Sequence, residues 1–293
     1  QAVERITILI PRMERGGRPY LKGKITTDSP AQYAASTVTT SQKSVSISGL
    51  ACRYILDDAA QEDSAIAVVP ALQRQISMDL VDAMEDALIN GDTTAVHQDD
   101  LANWNIRSRW GSTGLGGTSD HRRMFKGMRK QAIERNCKAD LSTFSFENLL
   151  GLKAQMGEQA MSDVVLFASP EAVLANILGL SQVLTVDQFG PAATIKTGQI
   201  ASLMGMPIVM TRFLSADLNN SGLFDNVTTD KTAILMAHTP SWYIFERRGI
   251  LVETDRRIDM GSTEIVATMR ATFDTLDLDA TKNVAYGYKV SAT

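Results

Sequence analysis

Apolar residues recur at three- and four-residue spacing through residues 70–92, PALQRQISMDLVDAMEDALINGD: Leu72, Ile76, Leu80, Ala83 and Met84, then Ala87 and Leu88. That period predicts a long amphipathic helix. Pro70 suits its first turn, where a missing N–H has no intrahelical partner to lose. Asn90-Gly91 supplies a stop, with glycine available for a left-handed residue beyond the last turn. A helix of this span is about 30 Å long. Its other face carries Asp79, Asp82, Glu85 and Asp86, so the pattern predicts a spine that is dry on one side and acidic on the other.

Before the spine, residues 6–10 form a short apolar run closed by Pro11, and residues 45–56 read as a second strand. The stretch 12–43 between them is different. Arg12, Arg15, Arg18, Lys22 and Lys24 sit among Gly16-Gly17, Pro19 and Gly23, and a Ser/Thr/Ala-rich tract follows up to Lys43. Val38 and Val45/Ile47 flank this polar stretch in a way that suits a two-stranded ribbon. So few large apolar groups cannot build a core of their own. The ribbon is therefore either a loose insertion or an arm that packs on another subunit.

After the spine, residues 93–119 are irregular, with Trp104, Trp110 and Gly111, Gly114, Gly116 and Gly117. Asp120 then caps a predicted helix over 121–135. Met124, Met128, Ala132 and Ile133 make its apolar stripe, and Arg122, Arg123, Lys126, Arg129 and Lys130 make the rest basic. A further amphipathic helix is predicted over 144–160. Residues 164–168, VVLFA, read as a buried strand, and Ser169-Pro170 starts a helix that stops at Gly179. Strands follow in 198–211, after a Gly-Met-Pro turn, and at 232–237 and 242–246. In 264–273, Ile265, Ala267, Met269, Ala271 and Phe273 alternate with more polar neighbours, which predicts a strand with one buried face. No internal repeat or low-complexity linker divides the chain, so these segments are expected to share one interlocked body.

Composition narrows the chemistry. The 293 residues are 44% hydrophobic and 21% charged, with a net charge of −4. That balance is ordinary for a folded protein and gives no strong global pull toward nucleic acid or an anionic membrane. No apolar run reaches the roughly 18 residues of a membrane span, and no secretory leader pattern is present. The chain starts at Gln1 rather than Met. His97, His121 and His238 lack any nucleophile elbow, so no catalytic triad is expected. The glycine cluster 111–117 lacks the Gly-Lys-Ser/Thr ending of a phosphate loop, and Asp120 at the next helix start would repel phosphate. Residues 217–225 imitate the start of a calcium loop, but Thr228 stands where the bidentate glutamate belongs, so a polar turn is expected. Cys52 and Cys137 match no metal spacing and are expected as reduced thiols. The basic helix is expected to be solvated or paired with acids across a subunit contact rather than bound to nucleic acid. No catalytic, cofactor or metal site is expected.

The long helix ending in Leu-Ile-Asn-Gly-Asp (88–92), the preceding basic ribbon, the Leu-Phe-Ala-Ser-Pro-Glu unit (166–171), the Gly-Met-Pro-Ile-Val strand (205–209) and the Arg-Gly-Ile-Leu-Val-Glu segment (248–253) occur in an order that resembles the major capsid proteins of tailed bacteriophages, the Hong Kong 97-type shell fold. The resemblance covers nearly the whole chain. It implies an α+β fold with an N-terminal arm (1–11), an extended loop hairpin (12–43), a peripheral domain (44–140) with the long spine helix at 70–90, an axial domain (141–245), and return strands (246–293) completing both domains.

The resemblance also implies a non-enzymatic head protein that self-assembles into an icosahedral shell around double-stranded DNA, localised to the virion capsid and assembled in the host cytoplasm. Its partners would be copies of itself in hexamers and pentamers and a portal, with decoration or scaffold proteins left open. It would enclose DNA without tight sequence-specific binding and touch no membrane. The expected assembly interface sets Arg12, Arg15, Arg18, Lys22 and Lys24 of one subunit's arm against Asp79, Asp82, Glu85 and Asp86 of a neighbour's spine. Some members of the family join an arm lysine to a neighbour's asparagine. Here Lys22 or Lys24 offers an amine, but residues 255–261 contain no asparagine, so no such bond is expected. The alternatives are an encapsulin-type nanocompartment shell, which shares the fold, and a soluble metal-dependent hydrolase built on the Asp-rich loops.

Overall fold

The computed structural model describes residues 6–13, 40–62, 68–101, 119–180, 183–184, 199–203, 205–228, 230–277 and 281–292. Along the chain come β1 (Ile6–Met13), β2 (Thr40–Asp57), α1 (Asp58–Glu62), α2 (Val68–Asn90), α3 (Met128–Glu134), β3 (Lys138–Asp140), α4 (Phe146–Ala154), β4 (Val164–Ala168), α5 (Pro170–Ala172), β5 (Val183–Leu184), β6 (Gln199–Leu203), β7 (Met206–Met210), β8 (Lys231–His238), β9 (Trp242–Arg257), β10 (Ser262–Thr275) and β11 (Val284–Ser291). They build two sheets. One has four strands in the order β1-β2-β10-β9, and the other has seven in the order β3-β11-β8-β4-β7-β6-β5.

The spine forms as its periodicity predicts, from Val68 to Asn90, with Pro70 in its first turn. Its stripe of Ile76, Leu80, Met84 and Ala87 lies in one core with Ile265, Ala267, Met269 and Ala271 of β10, and Leu50, Cys52 and Tyr54 of β2 pack against that core. The period-two alternation of β10 thus buries one face under the helix. β8 is apolar from Ala233 to Ala237 because both its faces are covered there. Ala233, Leu235 and Ala237 join the spine's core, while Ile234 and Met236 face a second core built with β4, α4, α5 and β7. β11 does the same, with Val284 and Tyr286 in the first core and Ala285 and Val290 in the second, so these adjacent strands tie the two cores together.

The structure corrects several boundaries. The helix expected over 121–135 is broken into a 3₁₀ turn at His121–Arg123 and α3 at Met128–Glu134. Gly127 causes the break, because its backbone lies against Gly91 and the last turn of the spine, where a helix with side chains could not pass. The 144–160 helix ends as α at Ala154 and continues as a 3₁₀ turn, Gly157–Ala160. The helix begun at Pro170 widens into a π turn over Val173–Ile177. β9 is far longer than the five residues expected, because an apolar-polar mixture continues as an edge strand through Arg257. The glycine cluster 111–117 and both Trp104 and Trp110 lie outside the described residues.

Candidate assembly surfaces

Three of the four spine acids are not a free solvent face. Asp79 is buried and accepts hydrogen bonds from the Tyr54 hydroxyl at 2.5 Å and from Gln75 Nε2 at 2.8 Å. The bond to Asp79, with burial adding to it, pushes the Tyr54 hydroxyl pKa up. Asp86 is buried as well, accepting from Asn90 Nδ2 at 2.8 Å and lying 2.8 Å from His121 Nε2. Asp82 pairs with Arg212 at 2.5 Å. Glu85 is exposed. The expected acidic stripe is therefore corrected for Asp79 and Asp86: the helix is covered by β2 on one flank and by the 3₁₀ turn before α3 on another, so acids off the apolar stripe still meet protein.

Four of the five cations of the basic segment after it are paired in the same way, inside the subunit rather than across a contact, and Arg123 donates to the Thr94 carbonyl. Arg122 grips Asp120 with Nε to Oδ1 and Nη2 to Oδ2, both at 2.8 Å, and both residues are buried. Burial works to raise the Asp120 pKa, but the hydrogen bond and charge of Arg122 outweigh it and hold the carboxyl at about 2. Arg129 is 1% exposed; its Nη1 donates to Asn90 Oδ1 at 2.7 Å and its Nη2 to Asp99 Oδ1. Burial opposes its charge, yet Asp99 keeps its pKa raised. Asp99 Oδ1 also accepts the Phe224 amide at 2.9 Å, and Asn90 Nδ2 donates to the Phe213 carbonyl at 2.8 Å. Lys130 reaches Asp92 at 3.0 Å, and Lys126 reaches Glu134 at 2.8 Å. The end of the spine is thus a polar knot binding 92–101, α3 and 213–224. Its Arg129–Asp99 and Lys130–Asp92 pairs are matched within the subunit.

The calcium-like segment closes on itself as a turn. Asn219 Oδ1 accepts the Ser221 and Leu223 amides at 2.8 and 3.1 Å, and Asp225 Oδ1 accepts those of Val227 and Thr228 at 3.0 and 3.2 Å. Among the described residues, no group of three or more His, Cys, Asp or Glu side chains could hold a metal ion. Cys52 and Cys137 are free thiols, and burial raises the pKa of both.

Of the arm cations, Arg15, Arg18, Lys22 and Lys24 lie outside the described residues, and Arg12 stands on β1 opposite Ser41. Residues 12–43 were expected to be either loose or packed on another subunit, with little contact to their own core; at the described end of that stretch Lys43 instead ties back to its own subunit. Lys43 Nζ donates to Asp274 Oδ1 at 2.8 Å and to the Thr275 carbonyl. Val45 and Ile47 are 2% and 1% exposed.

The four-stranded sheet has two open edges among the described residues, β1 and β9. Both carry exposed apolar groups: Leu9 on β1, and Tyr243, Ile244, Ile250 and Leu251 on β9. Ile258 and Met260, at the β9–β10 turn, are 86% and 65% exposed. Long edges with apolar side chains invite pairing with another chain. The sequence pointed to charges as the contact and missed these edges. The sign that was present is the apolar run Ile250-Leu251-Val252 within 248–253, without the alternation of a half-buried strand.

No family model matches the sequence, and no curated protein matches it either. Solved structures do match in fold. A structure of Microbacterium phage Oxtober96 aligns over 96% of this chain and 85% of its own, at 10% identity and a TM-score of 0.62. The capsid of an empty GTA particle aligns over 99% and 86%, at 13% identity and 0.56. The holo-SrpI encapsulin complex of Synechococcus elongatus aligns over 87% and 79%, at 13% identity and 0.54. The chain has the phage capsid shell fold, of the Hong Kong 97 type.

Proposed function

We propose that the protein is the major capsid protein of a tailed bacteriophage, a structural subunit that assembles with copies of itself into a closed shell around double-stranded DNA. The observation that carries this reading is a likeness extending over 96% of the chain to a phage structure and over 99% to a particle capsid, so that little of the chain is left for another purpose. The four-stranded sheet with the spine serves as the peripheral domain and the seven-stranded sheet as the axial domain around which hexamers and pentamers close. The two open, partly apolar edges supply surface that a neighbour covers. The arm cations Arg12, Arg15, Arg18, Lys22 and Lys24 meet a neighbour's spine at Glu85 and beside Asp82, the acids that the subunit leaves nearest to solvent. The subunit carries out no reaction, and the shell is part of the virion, with a portal as its further partner.

Electron microscopy of the purified protein tests this. Closed shells are expected, with nuclease-protected DNA in particles taken from infected cells. Dispersed monomers under all assembly conditions would refute the reading. The match to an encapsulin complex supports a second reading, a nanocompartment shell. Shells that hold protein cargo and no protected DNA would establish it.

A further inference from the structure

β2 changes partners in mid-strand. Among the described residues, 40–47 pair only with β1, whereas Ser48 to Asp57 pair with β10. β10 runs on past Ala271 to Thr275 with β9 as its neighbour, so β2 and β10 diverge at the Ser48–Ala271 pair. Among the described residues β1 has β2 as its sole neighbour in the sheet. A two-stranded ribbon thus leaves the body at one point. Under the divergence lies a groove of about 720 Å³, walled by Val45, Met124, Phe125, Arg135 and Phe273. Across its mouth stretches Lys43, whose ammonium reaches Asp274 and the Thr275 carbonyl on the far strand. A second tie, Ser48 Oγ to the Met124 carbonyl at 3.0 Å, sits at the point of divergence itself.

A ribbon pinned at its pivot can still rotate about that pivot. Contacts along the ribbon fix the angle: Val45 and Ile47 are buried near the pivot, and Lys43 acts farther out, about 17 Å from Ser48 at roughly 3.3 Å per residue, where its leverage is greater. Its side chain is 12% exposed and that of Asp274 25%, so the pair is shielded from screening better than a surface pair. We propose that the Lys43–Asp274 pair is the positioning contact that sets the angle between ribbon and body, and that this angle selects the curvature of the assembly. The second half of this rests on the shell reading above. In a closed lattice a ribbon that reaches a neighbour transmits its departure angle to the tilt between subunits, and the groove beneath it is the space into which a released ribbon would swing.

The test uses the full chain with Lys43→Met and Asp274→Asn, and Lys43→Arg as the variant that keeps the charge. Hydrogen exchange on unassembled subunits reads the latch directly. Amides of 40–47 are expected to exchange at least tenfold faster in the Met and Asn variants and near the wild-type rate in the Arg variant, with the spine amides unchanged. Particle diameters by electron microscopy read the consequence: the Met and Asn variants are expected to give a broadened or shifted distribution, and the Arg variant the wild-type one. Unchanged exchange would overturn the latch. Faster exchange with wild-type diameters would overturn its role in curvature. If the wild type itself forms no particles, the shell reading and the curvature role fall together, while the exchange rates still decide the latch.

Discussion

The amide of Gly127 donates to the carbonyl of Gly91 at 2.8 Å, so that two glycines 36 residues apart bring the end of the spine into backbone contact with the start of α3. A Cβ at Gly127 would fall 2.6 Å from Gly91 N and 2.7 Å from the Ala87 carbonyl, and one at Gly91 would fall 2.4 Å from the Phe125 carbonyl. These obstacles are backbone and cannot turn aside. Gly127→Ala is expected to destabilise the subunit by about 3 kcal/mol, at the upper end of overpacking. Urea unfolding checks this. Gly151→Ala, where a Cβ meets nothing within 4 Å, is the control and should change stability little.

Arg129 and Asp99 form a buried ion pair at the centre of the polar knot. Arg129→Met leaves Asp99 without its cation in a site that is 3% exposed, and a loss of about 3–5 kcal/mol is expected. Removing both charges with Arg129→Met and Asp99→Leu together should cost less than the sum of the two single changes. A double-mutant cycle by urea denaturation measures the difference; strict additivity would show that the two residues do not act as a pair.

Asp120 predicts how stability responds to acid. Its pKa in the folded state is about 2, below the ordinary carboxylate value, because Arg122 outweighs the opposing effect of burial. A depressed folded pKa means that the unfolded chain binds the proton first. The stabilisation is therefore complete above the unfolded pKa near 4 and is lost as pH falls toward 2, amounting to about 2 kcal/mol. Burial also lowers the His97 pKa, so its contribution has the same sign and begins to fade as pH drops through about 6.5. Unfolding free energy measured from pH 7 to 2 should fall in both windows, and Asp120→Asn should flatten the lower one.

Glu85 gives the cleanest test of the arm–spine contact, since it is exposed, whereas Asp82 already holds Arg212. Glu85→Lys is expected to leave the melting temperature within about 2 °C, as surface changes do, while lowering the yield of particles, most at low salt. Normal assembly of this variant would mean that the arm is held by sheet edges and apolar contacts instead.

Mature particles are expected to run as monomer on denaturing gels without reductant. Residues 255–261 at the β9–β10 hairpin contain no asparagine, and neither cysteine is paired in the subunit. A ladder of oligomers would reveal a covalent bond made by other residues.

The sequence by itself determined the elements whose burial has a period. The stripe of α2, the alternation of β10 and the unbroken apolar run of β8 each state locally which faces are dry. The Ser169-Pro170 start is equally local: Ser169 Oγ accepts the Ala172 amide at 3.1 Å, within one turn. These signals, with their order, were enough to point to the shell fold. Only the tertiary structure decided what the charged residues do. Asp79, Asp86, Arg122 and Arg129 lie off the apolar stripes and read as solvent faces, because hydropathy reports what a side chain avoids and not which partner it will meet. Their partners are supplied by other elements, as when Asn90 and Asp99 meet Arg129 from 39 and 30 residues away. The break at Gly127 was hidden for the same reason. A glycine inside a helical period looks tolerable until a second backbone is packed where its side chain would stand.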